Sequence, residues 1–149
     1  MPEPAQLELA SYLPYLVNRV AVAIVEGFSS EALKREGLTI YTWRVLAVLA
    51  NRGEQRQVDL ADMTSIDAPT ISRLVTRLAN AGLATRSRSV TSNREVGVAL
   101  TPKGAAVVRR LIPSALAWED RATAGMSAKE VDAVKRSLER MYENLAARD

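Results

Sequence analysis

Residues 67–89, DAPTISRLVTRLANAGLATRSRS, change their period at a single glycine. Up to Gly82 the apolar side chains of Ile71, Leu74, Val75 and Leu78 recur three and four residues apart, the spacing of one helix face. Asp67 stands where an N-cap belongs and Pro69 falls in the first turn, where a missing N–H is tolerated. Beyond Gly82 the period becomes two. Arg86 and Arg88 share one face of a strand, and in REVGVALT the residues Val96, Val98 and Leu100 share another. The polar TSNR between them reads as a hairpin tip. A short basic helix that runs straight into a basic hairpin limits the folds available to what precedes and follows it.

What precedes it is helical. Ser11 to about Arg35 carries apolar residues at 13, 16, 17, 20, 21, 24, 25 and 28, with Pro14 in the first turn and Gly37 at the end. Thr39 is a suitable N-cap for LTIYTWRVLAVLANRG, which Gly53 closes, and QVDLADM predicts a third, shorter helix. After the hairpin, Thr101-Pro102 opens a helix with Val108, Leu111, Ile112, Ala115 and Leu116 on one side. Pro113 lies inside that pattern, where a kink is expected. Ser127 and Glu130 have the spacing of a capping box, and Val131, Val134, Leu138, Met141 and Leu145 then form a narrow seam suited to another helix. The fold class is therefore mainly α with a small β-hairpin wing: a winged helix-turn-helix with long terminal helices. The terminal stripes exceed what so small a motif can cover, and a second copy of the chain is the simplest partner.

Composition excludes several kinds of chemistry. The 149 residues contain neither cysteine nor histidine, which removes thiolate and imidazole ligands, disulfides and the commonest general base. Asp, Glu and Lys remain, but no convergent carboxylate pair suggests a hydrolase or transferase; the chain does not read as an enzyme. No cofactor or metal is expected. The longest mostly apolar run, Val20 to Val25, is too short for a bilayer, and no secretory leader is evident, so no membrane association and a cytoplasmic location are expected.

Charge is more informative when resolved along the chain. Between residues 68 and 118 there are eight basic residues (Arg73, Arg77, Arg86, Arg88, Arg94, Lys103, Arg109 and Arg110) and one acid, Glu95. That segment carries +7, so a whole-chain charge of +3 leaves −4 elsewhere. Such a distribution fits a nucleic-acid surface, though an unevenly charged solvated face would look the same. The helical wheel of 68–80 adds to it. Opposite the apolar face lie Pro69, Arg73 and Thr76, flanked by Ser72 and Arg77, with Thr70 in the first turn and no acid from Ala68 to Gly82. Surface helices more often mix acids and bases in i,i+4 pairs. An acid-free helix with arginines to reach guanine or phosphate has the composition of a recognition helix, and Arg86 and Arg88 could follow the backbone or enter the minor groove. A winged helix used as a protein-interaction module without DNA binding is the alternative.

WRVLAVL in the second helix, TISRLVTRLANAGLATR through the fourth, and the R-x(5)-LTPKG run from Arg94 to Gly104 together resemble the MarR-type (multiple-antibiotic-resistance regulator) winged-helix repressors, over nearly the whole chain. The resemblance implies one domain over 1–149, with 11–35 and 102–148 as dimerisation helices and 39–101 as the DNA-binding part. It also implies a homodimer on a pseudo-palindromic operator in double-stranded DNA, usually released by a small aromatic or phenolic effector. Family wings carry Asp-x-Arg; here Arg94 matches the arginine, while Ser92 replaces the aspartate and Asn93 lies between them. The effector pocket of such proteins lies between the terminal helices and the winged helix, which makes Tyr15, Asn18, Arg19, Trp43 and Arg44 candidate lining residues. Trp43 could equally be a core anchor, and the two arginines surface partners. The family's thiol-based sensing needs cysteine, which this chain lacks.

Overall fold

Three helix ends set the path of the chain in the computed structural model, which describes residues 1–88 and 96–147. After a short 3₁₀ turn at Leu9–Ser11, α1 runs from Leu13 to Phe28. It does not continue as a regular helix to Arg35, as its apolar stripe predicts, but passes into a π-helical turn at Ser29–Leu33 and a 3₁₀ turn at Lys34–Glu36. The reason is visible in the burial: Phe28 and Leu33, five residues apart, are both in the core. An α-helix would point them to different faces, whereas a π turn brings residues five apart into line.

Thr39 then caps α2 (Ile40–Arg52) through a reciprocal pair of bonds: its hydroxyl accepts from the Thr42 N–H, and the Thr42 hydroxyl accepts from the Thr39 N–H at 2.9 Å. Two residues, Gln55–Arg56, form β1 before α3 (Gln57–Thr64) begins. After a turn through Ser65 and the buried Ile66 comes α4 (Ala68–Asn80). β2 (Ala84–Arg88) and β3 (Val96–Leu100) follow, then α5 (Pro102–Ala122) and α6 (Ala128–Ala146). Pro113 is accommodated within α5, where its missing N–H leaves the Arg109 carbonyl without its usual helical partner.

The sheet has three antiparallel strands in the order β1-β3-β2, with Gln55 opposite Val98 and Arg86 opposite Val98 on the other side. β1 is too short to carry a periodic signal and is not foreseen by the sequence pattern. Its neighbour Glu54 reaches across β3 to accept a hydrogen bond from the Ser87 hydroxyl at 3.1 Å. Gly97 lies beneath that bridge, and a β-carbon there would collide with the Glu54 carboxylate.

The core gathers α2, α3, α4 and the root of the sheet, with Val45, Leu46, Leu60, Ile71, Val75 and Val98 fully enclosed. Ile71, Leu74, Val75 and Leu78 bury the predicted face of α4. At roughly 1.5–3 kcal/mol for each such side chain, burial fixes the rotation of this helix about its axis. The terminal helices behave differently. No described residue of α6 is buried, and Val134, Leu138, Tyr142 and Leu145 are exposed. So are Leu13, Leu16, Val17 and Val20 on α1, and Ile112 and Leu116 on α5.

Candidate nucleic-acid interface

The local chemistry of α4 explains where it starts and stops. The Asp67 carboxylate accepts from the Thr70 N–H at 2.9 Å and from the Thr70 hydroxyl at 2.8 Å. These bonds, the backbone one first, hold the Asp67 carboxyl below its ordinary range. The N-terminus of α4, which could attract a phosphate, thus already carries a carboxylate of its own. The arginines further along the helix are the cations it presents.

At the other end Gly82 has φ 74°, and the Leu83 N–H returns to the Leu78 carbonyl at 2.9 Å. Only a glycine makes this left-handed reversal without strain, and it turns the chain into β2. The LTPKG segment fastens the same corner. The Thr101 hydroxyl donates to the Gly82 carbonyl at 2.6 Å and accepts from the Gly104 N–H at 3.0 Å, capping α5. The Lys103 Nζ donates to the Ala81 carbonyl at 3.1 Å, satisfying a helix-end acceptor. Gly104 lies so close to the Leu83 carbonyl that a β-carbon would overlap it. Recognition helix, hairpin root and α5 therefore meet at one tight junction.

On the surface opposite the buried face, Thr70, Arg73, Thr76, Arg77 and Asn80 line a shallow groove with the edge of Leu74. Pro69, Arg73 and Arg77 are exposed, while Ser72 is half-buried. Arg73 leans back toward the helix start, with Nη2 donating to the Thr70 hydroxyl at 3.1 Å. Asn80 and, from α3, Gln57 join this surface although the sequence pattern did not single them out; only their positions beside Arg77 and Arg86 reveal them.

The strand arginines are both exposed, but the guanidinium of Arg86 is tied back to the protein. In an antiparallel pair, directly opposed residues project to the same side, so Arg86 stands on the side of the buried Val98, and Arg88 on that of Val96. Ala84, on the same face, is buried. Arg86 consequently turns toward α3 and α4, and its guanidinium bonds three groups there. Nε donates to Gln57 Oε1 at 2.9 Å, Nη1 to Thr76 Oγ1 at 3.0 Å, and Nη2 to the Ser72 carbonyl at 2.7 Å. Arg88 lies two pairs farther along the hairpin, and both arginines are exposed. Ser92, Asn93 and Arg94 lie outside the described residues.

Other members of the basic segment have structural partners. Arg110 makes a two-pronged ion pair with Glu36, Nε and Nη2 each at 3.0 Å from a carboxylate oxygen. The guanidinium's hydrogen bonds are the main cause of Glu36 titrating below the ordinary glutamate range. The positive field of this surface is thus narrower than +7 suggests.

The five candidate effector residues divide between two helices. Tyr15, Asn18 and Arg19 are on α1, with the Arg19 guanidinium 5.6 Å above the Tyr15 ring. Trp43 and Arg44 are on α2. Trp43 packs edge-on against Phe28 at 5.4 Å, so its ring anchors the core, while Arg44 is exposed. Among the described residues there is no cluster of three or more metal-binding side chains, and no helix long and apolar enough to cross a membrane.

Comparison with known proteins bears on this architecture directly. A family model described as MarR family matches residues 38–96, the stretch from the start of α2 to the first residue of β3. The transcriptional repressor Rv2887 of Mycobacterium tuberculosis is 30% identical over 129 residues, covering 87% of this chain and 92% of that protein. A MarR-family regulator from Silicibacter pomeroyi is 30% identical with a TM-score of 0.85, each chain covered to 99%. BpsR of Bordetella bronchiseptica, whose DNA binding is regulated by 6-hydroxynicotinic acid, is 27% identical with a TM-score of 0.77, over 87% of this chain and 98% of that one. With the winged helix, its arginine-bearing fourth helix and the LTPKG junction all in place, the chain belongs to the MarR family of transcriptional regulators.

Proposed function

We propose that this regulator is a single-domain protein that binds duplex DNA as a homodimer on a pseudo-palindromic operator and represses transcription there. The observation that carries this reading is α4: four apolar residues buried on one side, Arg73 and Arg77 exposed on the other, and no acid along the helix. Such a helix docks in the major groove, where arginine reads guanine or holds phosphate. Arg88 and, on the sequence reading, Ser92, Asn93 and Arg94 extend the contact along the backbone and into the minor groove. Pro69, Thr70, Ser72 and Thr76 shape the approach.

The dimer reading rests on the apolar side chains that α1, α5 and α6 leave exposed in one chain. Packed against a second copy, they place two recognition helices on one side of the assembly, as a two-fold operator requires. The protein then works in the cytoplasm, with its DNA. Release by a small aromatic acid or phenol follows the precedent of BpsR; in this chain Arg19 and Arg44 supply cations for a carboxylate, beside Tyr15, Asn18 and Trp43.

Selection of bound duplexes from a random pool, followed by mobility shift, tests the main reading. A recovered inverted repeat bound by a dimer is the expected result. Equal binding to every duplex, or to none, overturns it. For the effector, a panel of hydroxybenzoates and pyridine carboxylates should raise the melting temperature and change tryptophan emission. A panel with neither effect rules out this class of ligand.

A further inference from the structure

Arg86 sits between the wing and the helix that reads DNA, and its bonds have an unusual distribution. One planar guanidinium donates to three acceptors on two helices: Gln57 Oε1 at the first residue of α3, and Thr76 Oγ1 and the Ser72 carbonyl on α4. Ser72 and Thr76 lie one helical turn apart, and the Thr76 hydroxyl spends its proton on the Ser72 carbonyl at 3.0 Å. Its oxygen is thereby turned to accept from Arg86. The sequence neighbours of these two residues are Arg73 and Arg77.

A guanidinium holds its N–H groups in a fixed fork, so three bonds to separated acceptors fix an angle as well as a distance. Two of the acceptors define a line along the surface of α4; the third ties the fork to α3. The strand that carries Arg86 is anchored independently, opposite the fully buried Val98. Any rotation of α4 about its axis, or swing of the wing, must stretch at least one of the three bonds.

We propose that Arg86 is a positioning residue that locks the wing to the recognition helix and sets the direction in which Arg73 and Arg77 leave α4, rather than a phosphate or base ligand. The proposal rests on the DNA-binding reading above. It also assigns Thr76 and Gln57 to this lock: the hydroxyl proton of Thr76 is already used inside the protein.

Lysine separates the two roles, since it keeps the charge but not the fork. Hydrogen–deuterium exchange without DNA, on wild type, Arg86→Ala and Arg86→Lys, should show faster exchange in β2 and the middle of α4 for both variants. Anisotropy titrations would then use the wild-type-selected operator and an unrelated duplex across a range of salt. Both variants should lose operator affinity by roughly tenfold or more, equivalent to about one misread base pair. The salt slope and the affinity for the unrelated duplex should stay as in wild type. Thr76→Val should cost little in the Arg86→Ala background, because the two residues act together.

Recovery of affinity by Arg86→Lys, or equal losses on both duplexes with the slope reduced by roughly 0.9 per lost contact, would make Arg86 a phosphate ligand and overturn the proposal. Unchanged exchange in both variants would remove the lock itself. Failure of the wild-type protein to bind any duplex would instead overturn the DNA-binding reading, and with it the positioning role, while the exchange data still report the contact.

Discussion

Arg77→Ala offers the most direct measure of how the basic segment is used. Of its eight cations, three are committed elsewhere in the structure (Arg110 to Glu36, Lys103 to the Ala81 carbonyl, and Arg86 to α3 and α4), and Arg109 is carried by α5 rather than by the helix or strands of the proposed surface. Arg73, Arg77 and Arg88 are exposed along the proposed contact surface, and the sequence pattern adds Arg94, which lies outside the described residues. Four cations per protomer make eight per dimer. With about 0.9 counterion released per neutralised phosphate, the slope of log affinity against log salt should be roughly −7. If all eight basic residues of each protomer met phosphate, the slope would be about twice as steep, so the measurement decides between the two uses of the segment. Arg77→Ala removes one contact from each half-site and should bring the slope down by roughly 1.8, weakening operator and unrelated duplex alike. If Arg73 reads a base instead of holding a phosphate, it leaves the phosphate count, the wild-type slope becomes roughly −5, and Arg73→Ala should cost on the order of 1–3 kcal/mol per half-site and relax the preference at one base pair. Fluorescence anisotropy from about 50 to 200 mM salt covers the range in which such slopes are resolved. A nearly flat wild-type response, or an Arg77→Ala slope equal to that of wild type, refutes the partition of charges.

Gly104→Ala sets a backbone collision with Leu83, typically about 1–3 kcal/mol, against a helix-propensity gain of up to about 1 kcal/mol. A net loss of about 1–2 kcal/mol should lower the melting temperature by roughly 2–8 °C, and a melting temperature at or above wild type rules out the close approach. Glu36, Asp59 and Asp67 titrate below their ordinary ranges, through bonds from Arg110, Arg56 and the Thr70 N–H respectively. Their stabilising contribution is therefore present above the unfolded carboxylate values and is lost as pH falls through the lowered folded ones. Melting temperature should hold from neutral pH to about 5 and drop below about 4, and Glu36→Gln should make that drop shallower. Deleting residues 127–149 should remove α6 from the proposed dimer contact, leave the already exposed apolar faces of α1 and α5 without a partner, and give aggregated or unfolded protein; light scattering that finds a well-folded monomer, truncated or full-length, contradicts the dimer.

Most of the helical framework can be read from the chain because its signals are local. The Thr39 and Ser127 caps, the stop at Gly82 and the apolar spacing of α4 each depend on residues within one or two turns. The end of α1 could not be read this way. Its switch to a π turn serves the joint burial of Phe28 and Leu33 against other elements, and the core that demands it is assembled from distant segments. β1 has no local signal for a related reason: two residues have no period, and Gln55 and Arg56 become a strand only because Val98 and Gly97 lie alongside. Gly104 stands in a motif the sequence displays openly, yet the reason for a glycine there is the carbonyl of Leu83, twenty-one positions away.

The two strand arginines show where sequence reading of a site reaches its limit. Arg86 and Arg88 have the same chemistry, the same strand and the same face, and by pattern alone they are one feature. Their separation comes from the register. Opposite Val98, Arg86 lies at the level where α4 passes the sheet and meets Ser72 and Thr76, fourteen and ten positions back, and Gln57, twenty-nine back. Opposite Val96, Arg88 lies two pairs farther along the hairpin. Both side chains are exposed, yet two residues along the strand, about 7 Å, separate them, and it is at Arg86 that the guanidinium meets acceptors on α3 and α4. A positive stretch of sequence shows that a polyanion could bind. Which of its charges remain free to do so depends on the carbonyls and hydroxyls that the fold places beside them, and at Arg86 the fold has placed three.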